Sequence, residues 1–139
     1  MMTRIISFAT VALFAAAAAP AAPIAGTWTN PSHGMTIRIA PCGPALCGRV
    51  VAASAKARAD AVAGSGQPLI GSEVLSAVQP DGPDQWRGRL WLPDIDQHAD
   101  VTLTPAGANA LAVQGCLGGL ICKTQTWVRA SPRGAGRRR

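Results

Sequence analysis

Four cysteines and one acid-rich turn are the residues of this chain whose types and spacing could do chemistry. Cys42 and Cys47 bracket Gly43-Pro44-Ala45-Leu46, and Cys116 and Cys122 bracket Leu117-Gly118-Gly119-Leu120-Ile121. Each stretch reads as a hairpin turn with a cysteine at either shoulder. Two chemistries compete there, disulfide formation and metal ligation. The spacings are wider than those of the usual paired zinc knuckles, and the redox motif C-x-x-C is absent, so disulfides are expected and no metal or cofactor is assigned. Four cysteines allow three pairings. Proximity across each turn favours Cys42 with Cys47 and Cys116 with Cys122. Closing loops this short contributes about 2 kcal/mol per bridge by chain entropy, so the bridges fix turn geometry more than they stabilise the whole.

The acid-rich turn is Pro93-Asp94-Ile95-Asp96-Gln97-His98-Ala99-Asp100, with an acid or histidine at every second position. In a strand these side chains share a face but stand about 7 Å apart, too far to hold one ion. The glycine that lets a calcium loop turn sharply is missing, and a solvated hairpin tip is the expectation. Catalytic constellations fare no better. Ser32 and His33 are adjacent and point apart in an extended chain, and Gly64-Ser65-Gly66 is no nucleophile elbow. The glycines of 115–119 lack the helix and lysine of a phosphate cradle. No catalytic residue is assigned, and the chain is expected not to be an enzyme. Glu73, the sole glutamate, is a candidate binding group if it points inward. Trp91 with Arg87 and Arg89 forms a candidate contact surface.

These residues sit on short alternating segments separated by Gly/Pro turns. In 35–39, Met35, Ile37 and Ile39 alternate with Thr36 and Arg38, one face buried and one wet. Further strands are expected at 26–29, 47–53, 72–78, 86–92, 99–104, from 111 to 116, and at 123–129. In 86–92, Trp86, Leu90 and Leu92 fall on one face and Arg87, Arg89 and Trp91 on the other. About eight strands at this spacing predict an all-β, antiparallel up-and-down barrel. The exception is 54–71, rich in Ala, Gly and Ser, where 55–62 is read as a short helix or a mobile loop.

The ends of the chain differ from the body. One positive charge in 1–4, an uncharged apolar run over 5–19 and small residues through 22 read as a signal peptide, 1–22. The run is too short for a stable membrane anchor. The barrel domain is expected over 23–130, and 131–139 is a basic tail without apolar periodicity, expected to be disordered. Of the formal net charge of +6, five positive charges are Arg4, Arg133, Arg137, Arg138 and Arg139, which leaves +1 on the body. The basic character therefore belongs to a tail, and nucleic acid is not an expected partner. Signal and cysteines together place the protein in the periplasm or outside the cell.

Several fragments jointly resemble one bacterial family. Gly26-Thr27-Trp28, Ile39-Ala40-Pro41-Cys42-Gly43, Leu46-Cys47-Gly48-Arg49-Val50 and Pro68-Leu69-Ile70-Gly71 stand in order. Trp86-Arg87-Gly88, Val113-Gln114-Gly115-Cys116 and Thr124-Gln125-Thr126-Trp127-Val128-Arg129 follow. This order is similar to that of domain-of-unknown-function family 2147 (DUF 2147), whose members are mostly small exported proteins with no established activity. The sequence departs from the family pattern at Asp60-Ala61-Val62-Ala63, at Gln67 before Pro68, and at Asp96 and Ala99, where a Gly and a Tyr are usual. Gly26-x-Trp28 with Arg129 also resembles the lipocalin-like (calycin) arrangement. The resemblance implies that Arg129 packs on Trp28 and closes one end of the barrel, a structural role. The functional expectation is a binding module for a small apolar ligand in the barrel mouth. The alternative is a filled barrel that acts through its loops as a structural or protein-interaction factor, inhibitor-like, on an envelope protein.

Overall fold

The computed structural model describes residues 9–12 and 24–130. The basic tail over 131–139 and most of the signal peptide expected over 1–22 lie outside the described residues. Eight strands form in order: β1 (Gly26–Asn30), β2 (Met35–Cys42), β3 (Ala45–Ala53), β4 (Glu73–Pro80), β5 (Trp86–Leu92), β6 (Gln97–Pro105), β7 (Ala110–Leu117) and β8 (Ile121–Arg129). Each pairs antiparallel with the next, and β1 pairs with β8, so the sheet closes into an up-and-down barrel. Closure leaves no sheet edge exposed.

Directly paired residues in an antiparallel sheet face the same side, so the register sorts the interior. Trp28 pairs with Ile37, Trp86 with Leu103, Leu103 with Val113, and Leu111 with Trp127. All are buried, and together with Ile39, Val50, Leu75, Val78 and Val101 they fill the core. The alternation read in β2 holds, with Arg38 exposed, and in β5 Arg87 and Arg89 are exposed on the outer wall, but Trp91, read onto the same face, is half-buried and packs against the core. β4 departs from regular alternation. Its register steps opposite β3 between Gly48 and Arg49, and Val74 and Leu75 are both buried. A second step between Ser76 and Gln79 contains Ala77 at φ 52°. An extra residue in one strand bends it and sharpens its twist, as closing a small barrel requires.

The segment expected as a short helix or mobile loop forms helix α1 (Ala55–Ser65). It runs three residues beyond the expected end because both termini are capped. The Ser54 hydroxyl accepts the Ala57 N–H at 3.1 Å, and Gly66, left-handed at φ 73°, donates its N–H to Val62 O. The helix buries one residue, Ala61. Its contact with the barrel is close because its residues are small. A Cβ on Gly64 would stand 2.0 Å from the carbonyl oxygen of Asp94, so the helix backbone sits directly on the β5–β6 turn.

The cysteines pair as Cys42–Cys47 and Cys116–Cys122, with Cα separations of 5.8 and 4.1 Å. The first bridges the β2–β3 hairpin at one end of the barrel. The second bridges the β7–β8 hairpin at the other, on the same end as α1.

Candidate functional site

One end of the barrel is shut by residues that pack on each other. The Arg129 guanidinium lies over the Trp28 ring, 4.2 Å from its centroid. Its Nη1 donates to Ala25 O at 3.0 Å and its Nε to Ala108 O at 3.1 Å. Trp28 Nε1 donates to Ile24 O at 2.9 Å, and Ile24 is fully buried. Gly26 is required here twice over. Its φ of +126° is a conformation side chains rarely adopt, and a Cβ would stand 2.6 Å from Arg129 Nη1. A cation on an indole face is attractive by about 0.5–2 kcal/mol, and the plug excludes water from this end.

The other end opens into a cavity of about 670 Å³, within the range of ~300–1,000 Å³ usual for small-molecule sites. Ile37, Val113 and Trp127 border its depth, Val74, Leu90, Ala99 and Gly115 its walls. It exists because inward positions of β6 and β7 are small at its level. Below it, β6 and β7 place Leu103, Val113 and Leu111 inward; above, the same strands place Ala99 and Gly115. A Cβ on Gly115 would meet only the Ala99 Cβ, at 3.8 Å. An eight-stranded barrel has room either for packed side chains or for one small ligand, and this one divides its length between the two.

Polar groups line the mouth in two sets, one on β1, β8 and the β1–β2 turn and one across the rim on α1 and the β5–β6 turn. Asn30, buried at the end of β1, donates from Nδ2 to Gln125 Oε1 at 3.0 Å and accepts the Ser32 N–H on Oδ1 at 3.2 Å. Gln125 Nε2 lies 3.1 Å from His33 Nδ1. With the amide as donor, the neutral ring carries its proton on Nε2. Lys123 is the next inward position on β8, in register with Gly115, and no ion pair or hydrogen bond engages it among the described residues. Across the rim, Lys56 of α1 donates to Asp60 at 2.7 Å. That bond and the carboxylate charge raise the Lys56 pKa above the ordinary lysine value. Ile95 and Ile121 complete the rim and are largely exposed.

The candidate binding residues read from sequence are dispersed. Glu73 lies on the outer wall, 3.7 Å from Arg49 across the strand pair, and not inside the barrel. Arg87 lies 3.7 Å from Asp81, and Arg89 is exposed; neither lines the cavity. Trp91 is half-buried, donates to Asp96 Oδ1 at 2.9 Å, and borders both the cavity and a shallower outer depression shared with Glu73. Of the acid-rich turn, Asp94 reaches the rim, Asp96 is engaged by Trp91, and His98 and Asp100 are exposed. Among the described residues no three His, Cys, Asp or Glu side chains are grouped to hold a metal ion.

Asn30, Lys123 and the inward Gln125 were not singled out from sequence. On β8 both faces are polar, Thr124 and Thr126 outward and Lys123 and Gln125 inward. A period of two carries no signal there. What identifies the inward set is pairing with the apolar β7 residues, which is tertiary information.

A closed antiparallel barrel of eight strands, plugged at one end and open over a cavity at the other, defines the lipocalin-like class. Protein HP1028 from Helicobacter pylori, described as belonging to the lipocalin family, superposes with a TM-score of 0.61. The match covers 79% of this chain and 84% of that one at 13% identity, a level that carries the fold alone. The chain belongs to the bacterial family DUF2147, described as uncharacterized proteins conserved in bacteria, whose model matches residues 26–129. No curated relative matches the chain. The two disulfides and the bacterial family are compatible with export. No helix among the described residues is long and apolar enough to cross a membrane.

Proposed function

We propose that this protein is an exported, non-catalytic binding module that holds one small, mainly apolar ligand in the open half of its barrel. The observation that carries the reading is the cavity of about 670 Å³. It is walled by Val74, Leu90, Ala99 and Val113, carries its polar groups around the mouth, and is supported from below by a plugged end. Burial of apolar ligand surface supplies the affinity, roughly 25 cal/mol per Å² before the cost of immobilising the ligand. Asn30, Gln125 and His33 bond one another, so their flank is preorganised and does not rearrange on binding.

The test is titration with an uncharged apolar fluorophore such as N-phenylnaphthylamine, on the wild type and on Gly115→Leu. Gly115 has no left-handed backbone, and a Cβ there would make only an ordinary van der Waals contact with the Ala99 Cβ at 3.8 Å, so a leucine at this position is directed into the cavity it lines. Bright, saturable, one-to-one binding lost by at least tenfold in Gly115→Leu is expected. A wild type that leaves the fluorophore dark, or a variant that binds equally well, would overturn the reading in favour of a barrel acting through its outer surface.

A further inference from the structure

We infer that the open end of the barrel docks on an anionic lipid bilayer, with the tip of the β7–β8 hairpin inserted and Lys123 among the phosphates. The two ends expose different residues on their turns. At the closed end, the turns over 43–44, 81–85 and 106–109 carry only Gly, Pro, Ala, Asp, Gln and Asn. At the open end Leu120 is 91% exposed and Ile121 is 70% exposed. Gly118 and Gly119 have no side chains, so these two aliphatic groups form the apex of the hairpin. The hairpin is held firmly. Cys116–Cys122 bridges its base, Leu117 pairs with Ile121, and the Leu120 N–H donates to Leu117 O at 3.2 Å.

Single exposed aliphatic residues are ordinary on a protein surface, but these adjoin an apolar interior. Leu117 and Ile121 border the cavity, so apolar surface continues from the apex into the barrel. Charge selects the side that docks. All seven acidic side chains fall between Asp60 and Asp100, on α1 and around β4, β5 and β6. The contiguous strands β7, β8, β1, β2 and β3 carry none, and their charged residues are Lys123, Arg129, Arg38 and Arg49. The barrel therefore leans on this basic flank, with Asp94 and Asp96 two strands further round the rim. Lys123 stands two residues back from Ile121, about 7 Å along the strand, and no ion pair engages it among the described residues. Apolar groups at a membrane interface sit about 5–10 Å into the boundary between headgroups and acyl chains. At that depth the Lys123 ammonium reaches the phosphates while its aliphatic stem stays beside the apex. A protein partner fits less well. Protein hot spots favour aromatic and arginine side chains seated in pockets, with leucine under-represented, whereas this apex is a convex aliphatic knob that a deformable acyl layer accommodates. Docking goes beyond ligand binding and does not depend on what the cavity holds.

The test is co-sedimentation with vesicles of phosphatidylcholine, with and without phosphatidylglycerol, for the wild type, Leu120→Ser/Ile121→Ser and Lys123→Gln. All three positions are exposed, so the variants keep the wild-type denaturation midpoint. The double variant is expected to lose about tenfold or more in partitioning. Lys123→Gln is expected to lose about fivefold, and only where phosphatidylglycerol is present. In Leu120→Trp, the added tryptophan is expected to emit further to the blue on vesicles and to be quenched by lipids brominated on their acyl chains. A wild type that stays in the supernatant would overturn the inference and leave the apex to a protein partner. A double variant that sediments like the wild type would also overturn it, assigning the attraction to other segments such as the basic residues over 131–139. So would a Leu120→Trp protein that sediments with the vesicles yet escapes quenching.

Discussion

The two ends of this barrel are built to opposite specifications from similar parts. At the closed end the inward residues are large and each polar group is answered: Arg129 by Trp28, Ala25 and Ala108, and Trp28 by Ile24. At the open end Ala99 and Gly115 leave the wall thin on β6 and β7, and two donors, Trp127 Nε1 and Lys123, have no partner among the described residues. Each end carries one disulfide on a hairpin of similar length. Under the proposed function the contrast becomes a division of labour, in which one end holds the fold together and the other takes the ligand.

The largest effect that could break this comparison is Trp28→Ala. Removing a fully buried indole from the plug is expected to destabilise the protein by about 3–5 kcal/mol, read as a lowered denaturation midpoint at unchanged slope. A loss below about 1 kcal/mol would mean that the plug is not the anchor. Arg129→Ala comes next, at about 1–3 kcal/mol, from the ring contact and two hydrogen bonds to backbone carbonyls. Removing either disulfide by paired Cys→Ala substitution should cost about 2 kcal/mol. The two should be nearly equal in stability, yet only loss of Cys116–Cys122 should weaken fluorophore binding, because only that hairpin borders the mouth. Equal effects on binding would dissolve the division of labour.

The smallest expected change in stability is that of Gly115→Leu, within about 0.5 kcal/mol of wild type despite its large effect on binding. A substitution that costs several kcal/mol would show that the upper barrel is packed and not vacant. Native-state hydrogen exchange sharpens the same contrast without mutation. Helix α1 touches the barrel through Ala57, Ala61 and Gly64 and buries only one of them fully. Its amides should exchange through openings of lower free energy than those of β1 and β8 around the plug. Protection as high in α1 as in the plug strands would place the helix in the cooperative core.

Most of the architecture was legible because barrels are written locally. Alternation in β2 and β5, turn residues between strands, and cysteines at the shoulders of their own hairpins each report on a few neighbouring residues. Trp86 and Leu90 share a face because a strand has a period of two, whatever surrounds it. Helix α1 was half legible: its composition suggested a short helix, but its length depended on caps at Ser54 and Gly66 that composition does not weigh. Glu73 was left open in sequence between inside and outside. The register step at Gly48 and Arg49 brings Val74 and Leu75 both into the core and leaves Glu73 on the outer wall beside Arg49.

The sequence by itself determined the strands, the disulfide pairing and the Trp28–Arg129 pair expected from family resemblance, since each follows from short-range pattern or a repeated motif. Only the tertiary structure decided that the barrel is half filled, because a cavity is made by what is small on several strands at once. Ala99 and Gly115 are unremarkable residues until β6 and β7 bring them together in the cavity wall beside Leu90, the partner of Ala99 on β5. Trp127 reads as one more buried aromatic until closure of β8 on β1 leaves its N–H in an apolar layer with nothing to bond. Vacancy and an unmet hydrogen bond are properties of the surroundings, and the surroundings of these residues come from strands distant in the chain.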